Sequence, residues 1–423
     1  MRALRVLLVS FYFPPAGGGG VQRSLRFADH LARSGVDVHV LAPDDPRWLH
    51  RDEDLAPPKG VVVHRARYVG PRGMRPAEEL YGRTGVDRLV RRAALTPRRL
   101  LIPDENVSWL ATAAPCAIRI ARREKIDVVV TSSPPSSVHL IGPAIKRLTS
   151  ARWIADLRDS IVAKQDRRFE RLAVRVKEHG NVLVARAVAR WADAIVGVTD
   201  SIGDEMRALG ARGRIATIPN GCDFDEFEEL DYTVSNRFRI THTGSFFGRR
   251  SCRAFLEAFA QTDPAAVVRF VGDFCAEDVE WAETLGLGDR LELHGFAPHH
   301  RALAMQRDSE ALLLLLPEIG ARGKDVPSGK LFEYLAAERP ILAAVPPDGT
   351  AAALVESARA GRVVAPNDVS AMKNELDEMV RRWRAGSLDR PRLPVEWRER
   401  LSRETRTREL FSLLQAVSSL NGN

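Results

Sequence analysis

The sequence predicts an α/β protein made of two Rossmann-like, doubly wound domains of similar size with a cleft between them. Three observations predict it. Short apolar runs alternate with longer stretches of helical spacing through most of the chain, as expected for parallel sheets covered on both faces by helices. The alternation restarts after Pro219-Asn220-Gly221 and the acidic, weakly patterned stretch 223–236. Each series also opens in the same way, with a strand running into a glycine turn, at 17–20 in the first and 244–248 in the second. A length of 423 residues suits this division, since domains average about 150 residues. The expected boundaries are 1–225 and 226–395, with a helix at about 396–420 returning to pack on the first domain.

The elements follow in order. Residues 4–10 form a continuous apolar run, which suits a strand buried on both faces. Beyond the glycine turn, Val21, Leu25, Ala28, Leu31 and Ala32 recur at helical spacing until Gly35 stops them. A strand at 36–41 completes a βαβ unit and therefore a parallel pair. Further strands are expected at 61–64, 127–131, 153–156, 194–198 and 215–218. Helices are expected from about Ser136, over 165–192, and after a cap at Asp200 or Ser201. In the second domain the expected strands are 239–243, 267–271, 291–293, 311–316, 341–344 and 361–364, with helices at 251–260 and 330–337 and a helical tail over about 395–420.

Hydrophobic residues make up 45% and charged residues 28% of the chain, which excludes disordered, collagenous and coiled-coil classes. Cys116, Cys222, Cys252 and Cys275 lie far apart and form neither a CxxC pair nor a zinc spacing. Reduced thiols and a cytoplasmic setting are expected. No apolar run reaches the roughly 18 residues of a membrane span, and the N-terminal run reads better as a buried strand than as a leader. The net charge of +8 favours an anionic partner, whether lipid, nucleotide or nucleic acid. Arginine and lysine concentrate at 72–99 and 164–190. A solvated basic face explains these clusters as well as an anionic membrane does.

In open α/β sheets, ligands bind beyond the carboxyl ends of the strands, so the loops there carry the candidate chemistry. Gly17-Gly18-Gly19-Gly20 precedes a helix start, where free N–H groups attract anions. It lacks the lysine of a phosphate-binding P-loop, and Arg23 stands where a dinucleotide fingerprint needs its last glycine. A ligand loop and a plain tight turn remain open on this evidence. Gly244-Ser245-Phe246-Phe247-Gly248 is followed by Arg249 and Arg250, whose guanidinium forks suit phosphate oxygens or form a solvated basic turn. The stretch Lys324 to Leu335 is the most specific. Pro327, Ser328 and Gly329 precede a helix whose first turn carries Lys330, with Glu333 just beyond. A lysine is disfavoured at a helix N-terminus unless both serve an anion, so a pyrophosphate there, with Glu333 accepting from ribose hydroxyls, accounts for both residues. His139 follows Ser132-Ser133-Pro134-Pro135, and unaided it reads as structural. Asp156-Leu157-Arg158-Asp159 ends a strand, either as an ion-paired turn or as a group reaching the cleft. Asp223-Phe224-Asp225 has the form of a metal–nucleotide motif but falls in the expected linker, so no metal site is assigned.

In this order, Phe13-Pro14-Pro15 with the glycine loop, Ser132 to His139, Ala155 to Asp159, Ile218 to Gly221, the Gly244 loop and Pro327 to Pro340 resemble a glycosyltransferase of the GT-B fold, family 4. The resemblance covers nearly the whole chain. It implies retaining transfer of a sugar from a nucleoside diphosphate sugar, UDP-linked by preference and GDP-linked second, to a hydroxyl acceptor. By this resemblance Glu333 holds the donor ribose, and Asp325 stands eight positions earlier where the family has a second glutamate. Arg249 and either Arg250 or Lys330 neutralise the diphosphate, and His139 approaches the donor sugar, which gives His139, Arg249 and Lys330 as the catalytic set. Gly18, Gly19, Gly244, Arg250, Asp325, Ser328, Gly329, Leu331 and Glu333 are the donor-binding set, and Asp156, Arg158 and Asp159 are acceptor-side candidates. The family is thought to react by same-face attack, with the leaving phosphate as base and fixed cations in place of a metal, so no cofactor is expected. The implied setting is bacterial polysaccharide, glycolipid or glycoconjugate synthesis on a lipid-linked acceptor, at the inner face of the membrane. The alternatives are transfer to a soluble natural product, a GT-B sugar-nucleotide epimerase and, remotely, a basic nucleic-acid binder. The last is disfavoured because no nucleic-acid motif is present.

Overall fold

In a computed structural model of the chain, residues 2–45, 50–70, 85–94, 98, 101–162, 172–246, 251–274, 276–317 and 327–419 are described. They form two compact units, each built on one fully parallel sheet. The first holds seven strands: β1 (Arg5–Ser10), β2 (Asp37–Pro43), β3 (Val61–Ala66), β4 (Val128–Ser132), β5 (Arg152–Leu157), β6 (Ala194–Gly197) and β7 (Arg214–Thr217). Their order is β3-β2-β1-β4-β5-β6-β7, so the winding reverses between β1 and β4. The second holds β8 (Phe238–Thr243), β9 (Ala266–Val271), β10 (Leu291–Leu293), β11 (Ala311–Leu315), β12 (Ile341–Ala344) and β13 (Gly361–Val364), ordered β10-β9-β8-β11-β12-β13 and reversing between β8 and β11.

The continuous apolar strands follow from this layering. Along β1, Val6 and Leu8 face one way and pack with Val21, Leu25, Ala28 and Leu31 of the helix Gly19–Arg33. Leu7 and Val9 face the other way and pack with Trp109 and with Ala113, Ala117 and Ile120 of the helix Leu110–Arg123. A strand covered on both faces has no side that polar residues can occupy. The second unit repeats the arrangement along β11, where Ala311 and Leu313 join one core and Leu312 and Leu314 the other.

The chain leaves the first unit after Asn220, and Gly221–Ser402 make up most of the second. Phe227, within the stretch expected as a linker, is buried in the second unit's core beside Leu331 and Leu335. The helical tail is divided at Ser402. Val395–Leu401 closes the second unit, and Arg403–Ser418 belongs to the first, where Leu410, Leu414 and Val417 are buried in the same core as Val21, Leu25 and Ala28 of Gly19–Arg33. Among the described residues no helix is long and apolar enough to cross a membrane.

Candidate active site

Both reversals in strand order place loops at the carboxyl ends of the two central strands, where doubly wound sheets bind ligands. In the first unit these loops follow β1 and β4, and the chemistry there is largely closed on itself. Asp156, near the end of β5, is buried, and its carboxylate accepts from Arg23 Nη2 at 2.8 Å, from Arg23 Nε at 3.1 Å and from the Ser132 hydroxyl at 2.6 Å. Burial acts to raise its pKa, but the Arg23 guanidinium and these hydrogen bonds outweigh that effect and hold the carboxyl below its usual range. Arg23 also donates to the Ile218 carbonyl at 3.0 Å and to the Pro219 carbonyl at 3.1 Å, so one side chain ties a helix, a strand and the end of the unit together. Arg158 donates to the Gly20 carbonyl at 2.6 Å and so pins the glycine loop. Gly18 in that loop has φ +87°, a conformation that favours glycine. Asp159 is exposed.

His139 sits in the 3-10 turn Ser136–Leu140 after β4 and has no exposed surface. The turn is pinned by a residue well before it in sequence: Asp104 accepts from the Ser137 backbone N–H at 2.8 Å, from the Ser137 hydroxyl at 2.9 Å and from the Ser136 hydroxyl at 3.1 Å. The His139 Nδ1 lies 2.8 Å from the Thr131 hydroxyl, which also accepts from Trp153 Nε1 at 2.9 Å. The Nε2 atom is buried with no hydrogen-bond partner among the described residues. Burial lowers the imidazole pKa to about 4, so the ring is neutral at pH 7.

In the second unit the corresponding loops follow β8 and β11. The helix Gly329–Ala336 starts at Ser328, whose side chain makes no capping bond. Lys330 in its first turn reaches the carboxyl end of β8, where its ammonium lies 3.1 Å from His242 Nε2. The other ring nitrogen of His242 lies 2.8 Å from the Leu313 carbonyl, which requires an N–H there. His242 is therefore a neutral ring donating from Nδ1 and accepting at Nε2. It is buried and stacked on Phe246 at 4.8 Å. Gly244 has φ +119°, which favours glycine, and a methyl group there would sit 2.5 Å from the Lys330 ammonium and push it aside. Glu333, one turn on, accepts from Gln306 Nε2 at 3.2 Å, and Gln306 also donates to the Thr243 hydroxyl at 3.1 Å. The Tyr334 hydroxyl accepts the Thr243 backbone N–H at 2.8 Å. One cation and one carboxylate are thus set on the same helical turn, with His242 and Gln306 among their contacts.

Comparisons with known proteins bear on the fold. Residues 18–221 match the family model described as a glycosyl transferase 4-like domain. Sucrose-phosphate synthase from Thermosynechococcus elongatus is similar over 99% of this chain and 97% of its own, with TM-score 0.61 and 15% identity. Anabaena HepE in complex with UDP and glucose is similar over 98% of this chain and all of its own, with TM-score 0.65 and 14% identity. The chain has the GT-B fold, and residues 18–221 match a glycosyl transferase 4-like domain. The same fold is shared with a protein described as a UDP-N-acetylglucosamine 2-epimerase from Listeria monocytogenes, with TM-score 0.58, 12% identity and coverage of 100% of this chain and 97% of that one. No curated protein matches the chain.

The structure brings Gly244, Lys330 and Glu333 together at the end of one sheet, with Ser328 and Gly329 at the helix start. The Leu331 side chain is core, packed with Leu312 and Leu314. In the other unit Gly18, Gly19, Asp156, Arg158 and His139 share the carboxyl end of the first sheet, where Asp156 is consumed by Arg23 and Arg158 by the glycine loop. Arg249, Arg250 and Asp325 lie outside the described residues, as do 72–84 and 164–171 of the two basic clusters. Of the Asp223 and Asp225 pair, Asp223 is buried and Asp225 exposed, and among the described residues no group of histidine, cysteine and carboxylate side chains could hold a metal. Reading the sequence missed Arg23 as the partner of Asp156, and it missed Asp104, Thr131, His242 and Gln306. Only Arg23 left a trace, as the residue that spoils a glycine fingerprint.

Proposed function

We propose that this protein is a glycosyltransferase that moves a sugar from a UDP-sugar to a hydroxyl acceptor with retention of anomeric configuration. The observation that carries the reading is the juxtaposition of Lys330, Gly244 and Glu333 at the strand-order reversal of the second unit. A cation at a helix N-terminus, against a backbone with no side chain in the way, suits a diphosphate. A carboxylate one turn on suits ribose hydroxyls. Breaking the glycosidic bond leaves a dianionic diphosphate, and Lys330 with the helix-end N–H groups stabilises that charge as it forms. The leaving phosphate takes the acceptor proton on the same face, so no carboxylate nucleophile is required, and fixed cations serve where a metal would. UDP is favoured because HepE was solved with UDP and with UDP-glucose. The experiment is a thermal-shift screen of UDP, GDP and their sugars, because a ligand that binds only the native state raises its melting temperature. UDP-linked compounds are expected to stabilise most, and no shift with any of them overturns the reading. NMR of the product then reads the anomeric outcome, which separates retaining transfer from inversion and from epimerisation.

The acceptor is proposed to be lipid-linked, at the cytoplasmic face of a membrane. The helix Gly85–Ala94 exposes Val86, Leu89 and Val90 at 75%, 65% and 63%, at positions that share one helical face. Its sequence also carries Arg88, Arg91 and Arg92. An apolar stripe among arginines suits a helix lying in an anionic interface, at about 1 kcal/mol per basic residue near the surface. Co-sedimentation with anionic and neutral vesicles at low salt tests this. Equal binding to both, or none, leaves a soluble acceptor.

A further inference from the structure

In the second unit the amino ends of β8, β11 and β12 lie at the far end of the sheet from Lys330. They carry a cluster of charge that the proposed transfer does not use. Part of the cluster is closed. Arg239 donates from Nε to Glu310 at 3.0 Å and from Nη1 to Asp308 at 3.0 Å, and the Tyr232 hydroxyl donates to Glu310 at 2.9 Å. Two further arginines share the Tyr232 ring: the Arg339 guanidinium lies 4.2 Å from the ring centre and that of Arg390 lies 4.3 Å from it. Arg339 is only 2% exposed, and its Nε donates to the Arg307 carbonyl at 2.9 Å. Among the described residues its Nη nitrogens make no hydrogen bond, and neither Arg339 nor Arg390 forms an ion pair. Burial, and after it the neighbouring Arg390 and Arg307 charges, lower the Arg339 pKa to about 10. The guanidinium is still charged at pH 7, and a buried charge without a counter-ion is costly. The Tyr232 ring recovers part of that cost, while the nearby carboxylates Glu310 and Asp308 are already taken by Arg239.

We propose that Arg339 and Arg390 form an anion site at the amino end of the second sheet, which takes a phosphate group, either free or as the monoester of a small molecule. The Arg307 carbonyl uses the Arg339 Nε, so the two Nη groups remain as a fork of donors, and such a fork suits phosphate oxygens. Two arginines without carboxylates match the charge of a phosphate dianion. The Tyr232 ring orders both side chains before any ligand arrives, which reduces the freedom lost on binding. Arg390 is exposed and gives the anion its approach from solvent. Every residue of the site belongs to the second unit. The site stands whether or not the chain uses a sugar nucleotide.

The test is calorimetry of inorganic phosphate with full-length Lys330→Ala protein, in which the candidate diphosphate site is disabled. Phosphate is expected to bind this protein. Adding Arg390→Gln, a change at an exposed position, is expected to weaken phosphate about tenfold or more, the scale of one lost hydrogen bond from a charged group. Adding Arg339→Lys instead keeps the buried charge but removes the fork, and is expected to weaken phosphate by a similar factor. In the presence of Lys330, Arg390→Gln is expected to leave UDP affinity unchanged. No phosphate binding by Lys330→Ala overturns the proposal, as does an affinity that neither arginine variant changes. Acetate bound as tightly as phosphate overturns it too, since the site is built for a dianion. Glycerol phosphate separates the two sources: tighter binding than inorganic phosphate assigns the site to a phosphorylated small molecule, and weaker binding assigns it to free phosphate. Failure of UDP to bind the wild type is a different result, which overturns the functional reading and leaves the phosphate measurement intact.

Discussion

The carboxyl ends of the two sheets are topologically alike and chemically different. In the first unit, charge meets charge: Asp156 and Arg23 neutralise each other in the interior, and Arg158 is spent on the Gly20 carbonyl. In the second, Lys330 and Glu333 stand three residues apart at one helix start, with the His242 ring and the Gln306 amide among their contacts. A buried ion pair mainly builds geometry, because desolvation offsets most of its attraction. A cation fixed at a helix start stabilises negative charge that develops beside it. The lesson is that matching positions in two like sheets can carry different chemistry.

The largest effect should come from opening the scaffold. Asp156→Ala leaves Arg23 buried without its carboxylate, and urea denaturation is expected to show a loss of about 3–5 kcal/mol. Wild-type stability in that variant would break the first half of the comparison. Next, Lys330→Ala and Glu333→Ala are expected to keep the fold and lose activity. For Lys330→Ala the expected fall in kcat is about a hundredfold to a thousandfold, the effect of removing one group aimed at developing negative charge. Near-normal turnover with purified donor in both variants would break the second half.

A third effect is acid sensitivity in the first unit. Folded His139 titrates near pH 4 and its unfolded form near 6.5, so between those values the unfolded chain binds more protons. Stability is therefore fully present above pH 6.5 and declines as pH falls through the window, by about 3 kcal/mol in all. His139→Leu is expected to flatten this slope, as read from denaturation midpoints across pH. The smallest effect should come from His242→Phe, which keeps an aromatic ring to stack on Phe246 but removes the acceptor for Lys330. UDP affinity by calorimetry is expected to weaken about fivefold to tenfold, the scale of one hydrogen bond to a charged group. Unchanged affinity would show that Lys330 needs no prop.

The strands were legible because burial on both faces leaves no choice but apolar runs: 291–293, 341–344 and 361–364 form as read, and other strand ends shift by a residue or two. The helix Leu110–Arg123 was not legible. Its alanines and Pro115 blur the helical period, and its place is decided by packing on Leu7, Val9 and Val129. The division of the tail at Ser402 was hidden for a similar reason, since both pieces are helical and only their packing assigns them to different cores.

By itself, the sequence determined the two parallel sheets, the glycine turns that open each half, and the Lys330 and Glu333 pair on one helix start. These are local signals, carried by periodicity, turn chemistry and spacing along a few residues. Only the tertiary structure decided that Arg23 belongs to Asp156, that Asp104 anchors the His139 turn, and that His242 and Gln306 stand behind Lys330 and Glu333. Each of those pairs joins residues from 27 to 133 positions apart. Hydrogen bonds between buried groups depend on which strands end side by side, and that is settled by the sheet order rather than by any neighbour in the chain.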